Sequence, residues 1–463
     1  MKPDIKNTRP AVSCARATAF DILLRVERES SYASELLHSR THSTLTSVDH
    51  SLATELVMGV QRWRSVLDAQ ISESSAQSIS KLDLEVLTAL RIAVYQLRWL
   101  TRIPARAAIN ESVELVKRAR KRSAASFVNA VLRKLTATAS PSMSAPPTIN
   151  RDSAETVAAS SAHPLWLVER WAQAYGLESA VQICRHNQSV PVTAIRLRHP
   201  EAEERLRAEG IELAPGAFLA FARLVRHGDI TKTSAFRAGL CVIPDEASQL
   251  VAALVGRGAR VLDCCAAPGG KTRAIADHNV HAAIAAVELH PHRARLLRSL
   301  LRSQEPSTEV AANITVVVAD ARNLPFAGSF DRVLAAVPCS GTGTLSRNPE
   351  IKWRLTPEDL PDLQARQVAI LHSALAQLAL GGRVIYSTCS LEREENEEVV
   401  ESVLAENSAF RLVDCKTELQ HLQQQGELIW SDFAALTRGH YLRTLPGVHP
   451  CDGFFAAILE RVS

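Results

Sequence analysis

Two cysteines stand at the ends of apolar runs, in Pro338-Cys339-Ser340 and Thr388-Cys389-Ser390. A cysteine in apolar surroundings is usually a small core side chain. A thiolate favoured by a nearby cation or a helix N-terminus is instead a strong nucleophile. Two at the mouth of one site would form a reactive pair, and LEREENEEVV after Cys389 reads as a helix that begins within a few residues. A third run, RVLD, ends in Asp263 and enters CCAAPGGKT, residues 264–272. Such a Gly-rich turn lets backbone approach a ligand closely, and the helix after it aims its N–H groups there. The turn is not a P-loop, because GxxxxGK[ST] needs glycine where Cys265 stands, and GxGxxG is missing. Nineteen residues after Gly269, Glu288 ends another run and is placed to grip ribose hydroxyls. Asp320 ends a further run and can accept a hydrogen bond from an adenine amino group. One acid after a strand is commonly a helix cap. Three in phase with a Gly-rich turn point to a nucleoside cofactor.

The elements that would position these residues follow from apolar periodicity. RVLDCCA, AAIAAVE, ITVVVAD, DRVLAAVPCS and RVIYSTCS are continuous apolar runs separated by helical stretches. Continuous rather than alternating runs are the mark of a parallel sheet buried on both faces, and in such sheets ligands sit beyond the carboxyl ends of the strands. The first 140 residues read as helices. Leu87, Leu90, Val94 and Leu97 share one face, Val113, Val116 and the aliphatic part of Lys117 a second, and Phe127, Val131 and Leu135 a third. Residues 141–150 lie in an uncharged Ala/Ser/Pro/Thr-rich stretch of linker composition. Residues 151–240 mix helix and strand signals and read as a small α/β module. Residues 241–463 form the domain with the parallel sheet.

The 463 residues are 46% hydrophobic and 22% charged, which fits buried cores and excludes disorder as the dominant state. No apolar run reaches the length of a membrane span, and the basic start has no apolar signal core, so a cytoplasmic location is expected. Nine cysteines without a CxxC pair fit neither a disulfide framework nor a zinc ribbon, and no metal is expected. Residues 1–140 hold 21 Lys+Arg against 13 Asp+Glu, a balance of +8, while the remainder carries −4. The excess peaks between Arg91 and Lys134, which points to a polyanionic partner or to a solvated helix face.

Together, residues 263–272, PCSGTGT (338–344), NPEIKWR (348–354), TCS (388–390), PDEASQLV (244–251) and DGFFAAIL (452–459) resemble the RNA cytosine-5 methyltransferases. AINESVELVKRA and SFVNAVLRKL resemble a NusB-like RNA-binding domain. The combination is similar to the Sun/Fmu-type enzymes that methylate a cytosine of bacterial 16S ribosomal RNA. The resemblance implies an all-α NusB-like domain (1–140), a small α/β RNA-binding module (151–240) and a Rossmann-like α/β methyltransferase domain (241–463). It implies S-adenosylmethionine as cofactor, held by Cys265, Ala266, Ala267, Pro268, Gly269, Gly270, Lys271, Glu288 and Asp320. Cys389 would attack cytosine C6, and Cys339 would remove the C5 proton. DNA cytosine methyltransferases attack from the PC motif instead, so the TCS motif argues against DNA.

For the basic domain, Lys117, Arg118, Arg120, Lys121 and Arg122 are expected to contact RNA phosphates. Trp353 fits either the target base or a core. One position departs from the family pattern: its motif aspartate, two residues before Pro338, is replaced by Ala336. That carboxylate assists addition at C6, and Lys271 would lose its carboxylate neighbour; Asp331 lies at the other end of the strand. An RNA-binding protein with an impaired methyltransferase domain is therefore the alternative. A protein or small-molecule methyltransferase would leave the basic domain unexplained.

Overall fold

The computed structural model describes residues 12–39, 45–137, 148–302 and 314–463. The expected linker at 141–150 lies outside the described residues as far as residue 147. The chain divides into two compact units, one of Met1–Val190 with Leu345–Arg354, the other of Pro191–Thr344 with Leu355–Ser463. This partition falls inside residues 151–240, so the helices of that stretch up to Asn187 belong to the first unit, and its strands with the two short helices between them to the second.

The first unit is helical throughout its described residues. Its elements are α1 (Cys14–Glu29), α2 (Ala33–Leu37), α3 (Ser47–Ser75), α4 (Leu84–Trp99), α5 (Ala105–Arg118), α6 (Ala125–Ala137), α7 (Ala154–Ser161), α8 (Leu165–Tyr175) and α9 (Leu177–Asn187). Thr46 accepts a hydrogen bond from Asp49 N at 3.1 Å and so starts α3. The face expected on α4 is the buried one, with Leu87, Leu90 and Val94 in the core. On α6 the buried face is Val128, Val131, Leu132 and Leu135, with Phe127 only partly covered. Lys117 does not join the buried face of α5; it is exposed and paired with Glu114 at 2.7 Å.

A short segment from late in the chain, Leu345–Arg354, completes this unit and ends in α15 (Ile351–Arg354). Lys352 donates to the Arg62 carbonyl at 2.9 Å and Trp353 Nε1 to the Gln61 carbonyl at 2.7 Å. Lys352 is 1% exposed, and burial pushes its ammonium well below the usual lysine range. Arg354 donates to the carbonyls of Val26, Ser30 and Ser31, supplying the end of α1 with a partner that an isolated helix terminus lacks.

The second unit contains two sheets. The smaller is antiparallel, in the order β2-β3-β1-β4, from β1 (Thr193–Leu197), β2 (Glu212–Pro215), β3 (Ala222–His227) and β4 (Cys241–Val242). Short helices α10 (Glu201–Ala208) and α11 (Ser234–Arg237) accompany it. The larger sheet holds all five apolar runs: β5 (Arg260–Asp263), β6 (Ala283–Glu288), β7 (Ile314–Val318), β8 (Phe330–Ala336) and β9 (Leu378–Thr388). They are parallel in the order β9-β8-β5-β6-β7. Beyond β9 the sheet turns antiparallel through β13 (Phe454–Arg461), which also pairs β10 (Phe410–Val413) and β12 (Tyr441–Thr444), with β11 (Thr437–Arg438) at the edge.

Both faces are covered, as continuous runs require. Leu262, Val333 and Val384 pack against α16 (Leu360–Leu375) and α17 (Glu397–Glu406). Val261, Leu334 and Ile385 pack against α12 (Glu246–Leu254), α13 (Gly270–His278) and α18 (Cys415–Gln424). The run ITVVV departs from this rule: β7 is an edge strand, and Val318 is 48% exposed. Because the five strands are parallel, Asp263, Glu288 and Cys389 all lie at one edge of the sheet. Among the described residues, no helix is long and apolar enough to cross a membrane.

Arg354→Ala should leave the Val26, Ser30 and Ser31 carbonyls without their shared donor, at a cost of about 1–3 kcal/mol. A lower urea midpoint in tryptophan fluorescence is the expected result, and an unchanged midpoint would assign the segment's attachment to Lys352 and Trp353 alone.

Candidate active site

The two cysteines lie at the ends of adjacent parallel strands. Cys389 follows β9 directly, Cys339 comes three residues after β8, and their Sγ atoms are 3.4 Å apart. Both are half-buried. The Cys339 thiol hydrogen-bonds the Cys389 sulfur and lowers the Cys389 pKa below the ordinary thiol value, and the Lys271 ammonium acts in the same direction. The same shared hydrogen bond, reinforced by burial, holds Cys339 well above it. Of the two thiols, Cys389 is therefore the one that gives up its proton first. The expected helix contributes differently: α17 begins only at Glu397, after a short turn over Arg393–Glu395.

That turn contains a residue the sequence did not single out. Glu395 is fully buried and accepts hydrogen bonds from Ser340 N at 2.8 Å, from Gln367 Nε2 at 2.8 Å, and from the hydroxyls of Ser340 and Ser390. One carboxylate thus grips the residue after each cysteine. Within an acidic run, EREENEE, it is indistinguishable from a solvated helix start; only the serines after both cysteines hint at a shared partner. Gly343 adds a second tie, donating to the Cys389 carbonyl at 2.8 Å and accepting from Gly453 N at 2.8 Å. A Cβ on Gly343 would lie 2.2 Å from the Gly453 carbonyl oxygen, so this crossing requires glycine.

Beside the pair is a cleft of about 450 Å³ lined by Cys265, Ala267, Glu288, Asp320, Ala336 and Pro338, among others. Four of the nine expected cofactor residues therefore meet here. Glu288 is 5% exposed, accepts from His290 N at 2.9 Å and lies 3.9 Å from Arg293. Asp320 is held by Arg322 through a bidentate pair at 2.6–3.1 Å, which lowers its carboxyl below the usual range. Ala266 is core, with its N–H on the Val287 carbonyl. Pro268 is exposed, and Gly269 (φ 113°) starts α13 at a close approach to Leu297. Gly270 opens α13.

Lys271 lies outside this lining, 5.4 Å above the Phe454 ring. It also has a carboxylate neighbour: the buried Asp263, bonded to Thr272 Oγ1 at 2.7 Å, feels its charge. Asp331 is committed to Ala259 N and Arg260 N at the other end of β8. Arg293, Arg322 and Arg366 line the cleft without having been expected there. The remaining cysteines are buried, except the exposed Cys14.

In the helical unit, three of the five residues expected to contact phosphates pair with acids at the surface. Lys117 pairs with Glu114, Arg118 with Asp21 at 2.7 Å, and Lys121 with Asp83 at 2.9 Å, while Arg120 and Arg122 are exposed. Trp353 packs on the core of this unit, with Arg64 over its ring at 5.8 Å.

The parallel sheet with its strand-end acids and thiol pair defines a Rossmann-like methyltransferase, and the family model 16S rRNA methyltransferase RsmB/F matches residues 254–460. The NusB family model matches residues 13–137. The chain is 32% identical over 461 residues to the "Probable ribosomal RNA small subunit methyltransferase B" of Bacillus subtilis (strain 168), covering 96% of this chain and 98% of that one. It is 29% identical to the ribosomal RNA small subunit methyltransferase B of Pseudomonas putida, covering 98% of this chain and 99% of that one. The chain belongs to the RsmB/F methyltransferase family, with a NusB-family region in front. The crystal structure of PH0851 shares the fold, with a TM-score of 0.76, 23% identity, and coverage of 96% of this chain and 98% of that chain.

If Cys339 supplies the hydrogen bond that favours the Cys389 thiolate, alkylation of Cys389 by iodoacetamide should have its pH midpoint below the ordinary thiol value of about 8.5. Cys339→Ala should raise that midpoint. An unchanged midpoint would leave Lys271 as the sole source of activation.

Proposed function

We propose that this chain methylates C5 of a cytosine in 16S ribosomal RNA, using S-adenosylmethionine and a covalent Cys389 adduct. The observation that carries this reading is the thiol pair at 3.4 Å, whose shared environment lowers the Cys389 pKa and raises that of Cys339. Cytosine C5 is a poor nucleophile. Addition of the Cys389 thiolate to C6 forms a C–S bond and moves the ring's electron pair toward C5, giving it enamine character. S-adenosylmethionine, when bound, would supply the electrophilic methyl group that C5 takes, its sulfur keeping the electron pair of the broken S–CH3 bond as S-adenosylhomocysteine. Once the Cys389 sulfur is bonded to carbon it no longer holds the Cys339 proton by a thiolate hydrogen bond; Cys339 passes that proton to water, and its thiolate then takes the C5 proton. The C–S bond breaks with its electrons returning to Cys389, and the methylated base leaves. The pair must meet the base out of its stack or in single-stranded RNA.

The cleft fits the nucleoside part of the cofactor. Glu288 is a largely buried acceptor suited to a ribose diol, and Cys265 and Ala267, from the turn that leads into α13, line the same cleft. Asp320 suits an adenine amino group once Arg322 turns away, because Arg322 now occupies both carboxylate oxygens. RNA as substrate is supported by the family and the NusB-like region, and the small-subunit ribosomal RNA by the names of the relatives. The basic run 117–122 supports phosphate contact through Arg120 and Arg122, with its other three cations already paired.

Ala336 favours a second reading. It lines the cleft where the family pattern has an acid, so the fold could bind RNA and cofactor without efficient turnover. Transfer of labelled methyl groups to unmethylated 16S RNA distinguishes the two. Cys389→Ala should abolish transfer, and persistence would remove the nucleophile assignment. Ala336→Asp should raise the rate by about 10²- to 10⁴-fold if the acid is needed for addition at C6. A parent rate equal to that of the Asp variant would show that Ala336 is tolerated.

A further inference from the structure

Helix α14 (Pro291–Arg302), PHRARLLRSLLR, leads away from Glu288 and carries four arginines and no acid. Ala294, Leu297 and Leu301 are its buried face, packing toward β6 and β7. Arg295, Arg298 and Arg302 are spaced i, i+3 and i+7, which puts them within about 60° on a second face, over roughly 10 Å of helix axis. They line, with Ser299, an open depression of about 440 Å³. Arg298 donates to the Val316 carbonyl at 3.2 Å. Among the described residues, none of the three has a carboxylate within ion-pair distance. The run 117–122 differs, since three of its five cations are neutralised by Glu114, Asp21 and Asp83. Uncompensated arginines in a row are costly to one another and are relieved by a partner with regularly spaced negative charge. Leu296 and Leu300, 51% and 45% exposed, flank the row on its other side and offer apolar cover to the sugar and base edges of such a partner.

We propose that the Arg295–Arg298–Arg302 face of α14 binds the phosphate backbone of the RNA substrate, giving the methyltransferase unit its own grip on RNA. This rests on the RNA reading above. It places a phosphate-contacting surface directly after Glu288, on the element that follows the cofactor cleft. The contacts are electrostatic, so they position the RNA without selecting its sequence.

The test compares the full chain with Arg295→Ala/Arg302→Ala and with Arg295→Lys/Arg302→Lys, measuring binding to a 16S RNA transcript between 50 and 200 mM salt. Arg298 is kept because it also bonds the backbone. Each lost phosphate contact should flatten the slope of log K against log salt by about 0.7 to 0.9, so the Ala variant should lose about 1.5. The Lys variant should keep the parent slope, and S-adenosylmethionine binding should be unchanged in both, which shows that the unit is folded. A parent slope in the Ala variant would overturn the proposal while leaving the RNA reading in place. A parent chain without salt-dependent RNA binding would overturn both. Loss of binding to anionic lipid vesicles with RNA binding intact would reassign the face to membranes and overturn it as well.

Discussion

The active site depends on one buried carboxylate. Glu395 accepts hydrogen bonds from the loops that follow β8 and β9, and it joins them together with the direct bonds from Gly343 N to the Cys389 carbonyl and from Leu391 N to Thr342 Oγ1. Parallel pairing fixes the strands to within a residue, but two sulfurs must approach to 3.4 Å, and that precision comes from the loops. A buried charge is tolerated when its acceptor sites are filled. Four donors from Ser340, Ser390 and Gln367 fill those of Glu395. Gln367 also donates to the Pro338 carbonyl at 3.0 Å, so α16 joins the same network from the face it covers.

Glycine and sheet topology extend this constraint to the end of the chain. Gly343 touches both the Cys389 carbonyl and Gly453, the residue before β13. Because β13 pairs antiparallel with β9, Phe455 lies opposite Thr388, and Phe454, just before it, lies under the Lys271 ammonium. The last strand is thus part of the thiol environment. It brings an aromatic ring to the cation that favours the Cys389 thiolate, in a sheet whose parallel part alone would have ended at β9.

Much of this was legible in the residues, and the exceptions share a cause. Continuous apolar runs gave the five parallel strands, and the strand-end positions of Asp263, Glu288, Cys339 and Cys389 followed from parallel topology. Features set by distant partners were hidden. Glu395 sits in an acidic run that local pattern assigns to solvent. Leu345–Arg354 belongs with the helical unit through Lys352, Trp353 and Arg354, whose carbonyl partners are about 290 to 330 residues away in sequence. The pairing of Lys121 with Asp83, and of Arg118 with Asp21, turned a basic run into a largely neutralised surface. Periodicity reports which face an element buries; it cannot report which charge a folded neighbour has already matched.

The same division explains why Ala336 leaves the framework intact. Its backbone is in register with Ser387, and the next residue, Val337, donates to the Ser387 carbonyl at 3.0 Å. Neither interaction depends on the side chain of this residue, which lines the cleft and is partly buried against the core beneath α12 and α13. The loops still meet through Glu395, the thiols still lie 3.4 Å apart, and Lys271 still has Asp263 and Phe454 beside it. An aspartate here would therefore change the lining of the cleft rather than the register of the strands.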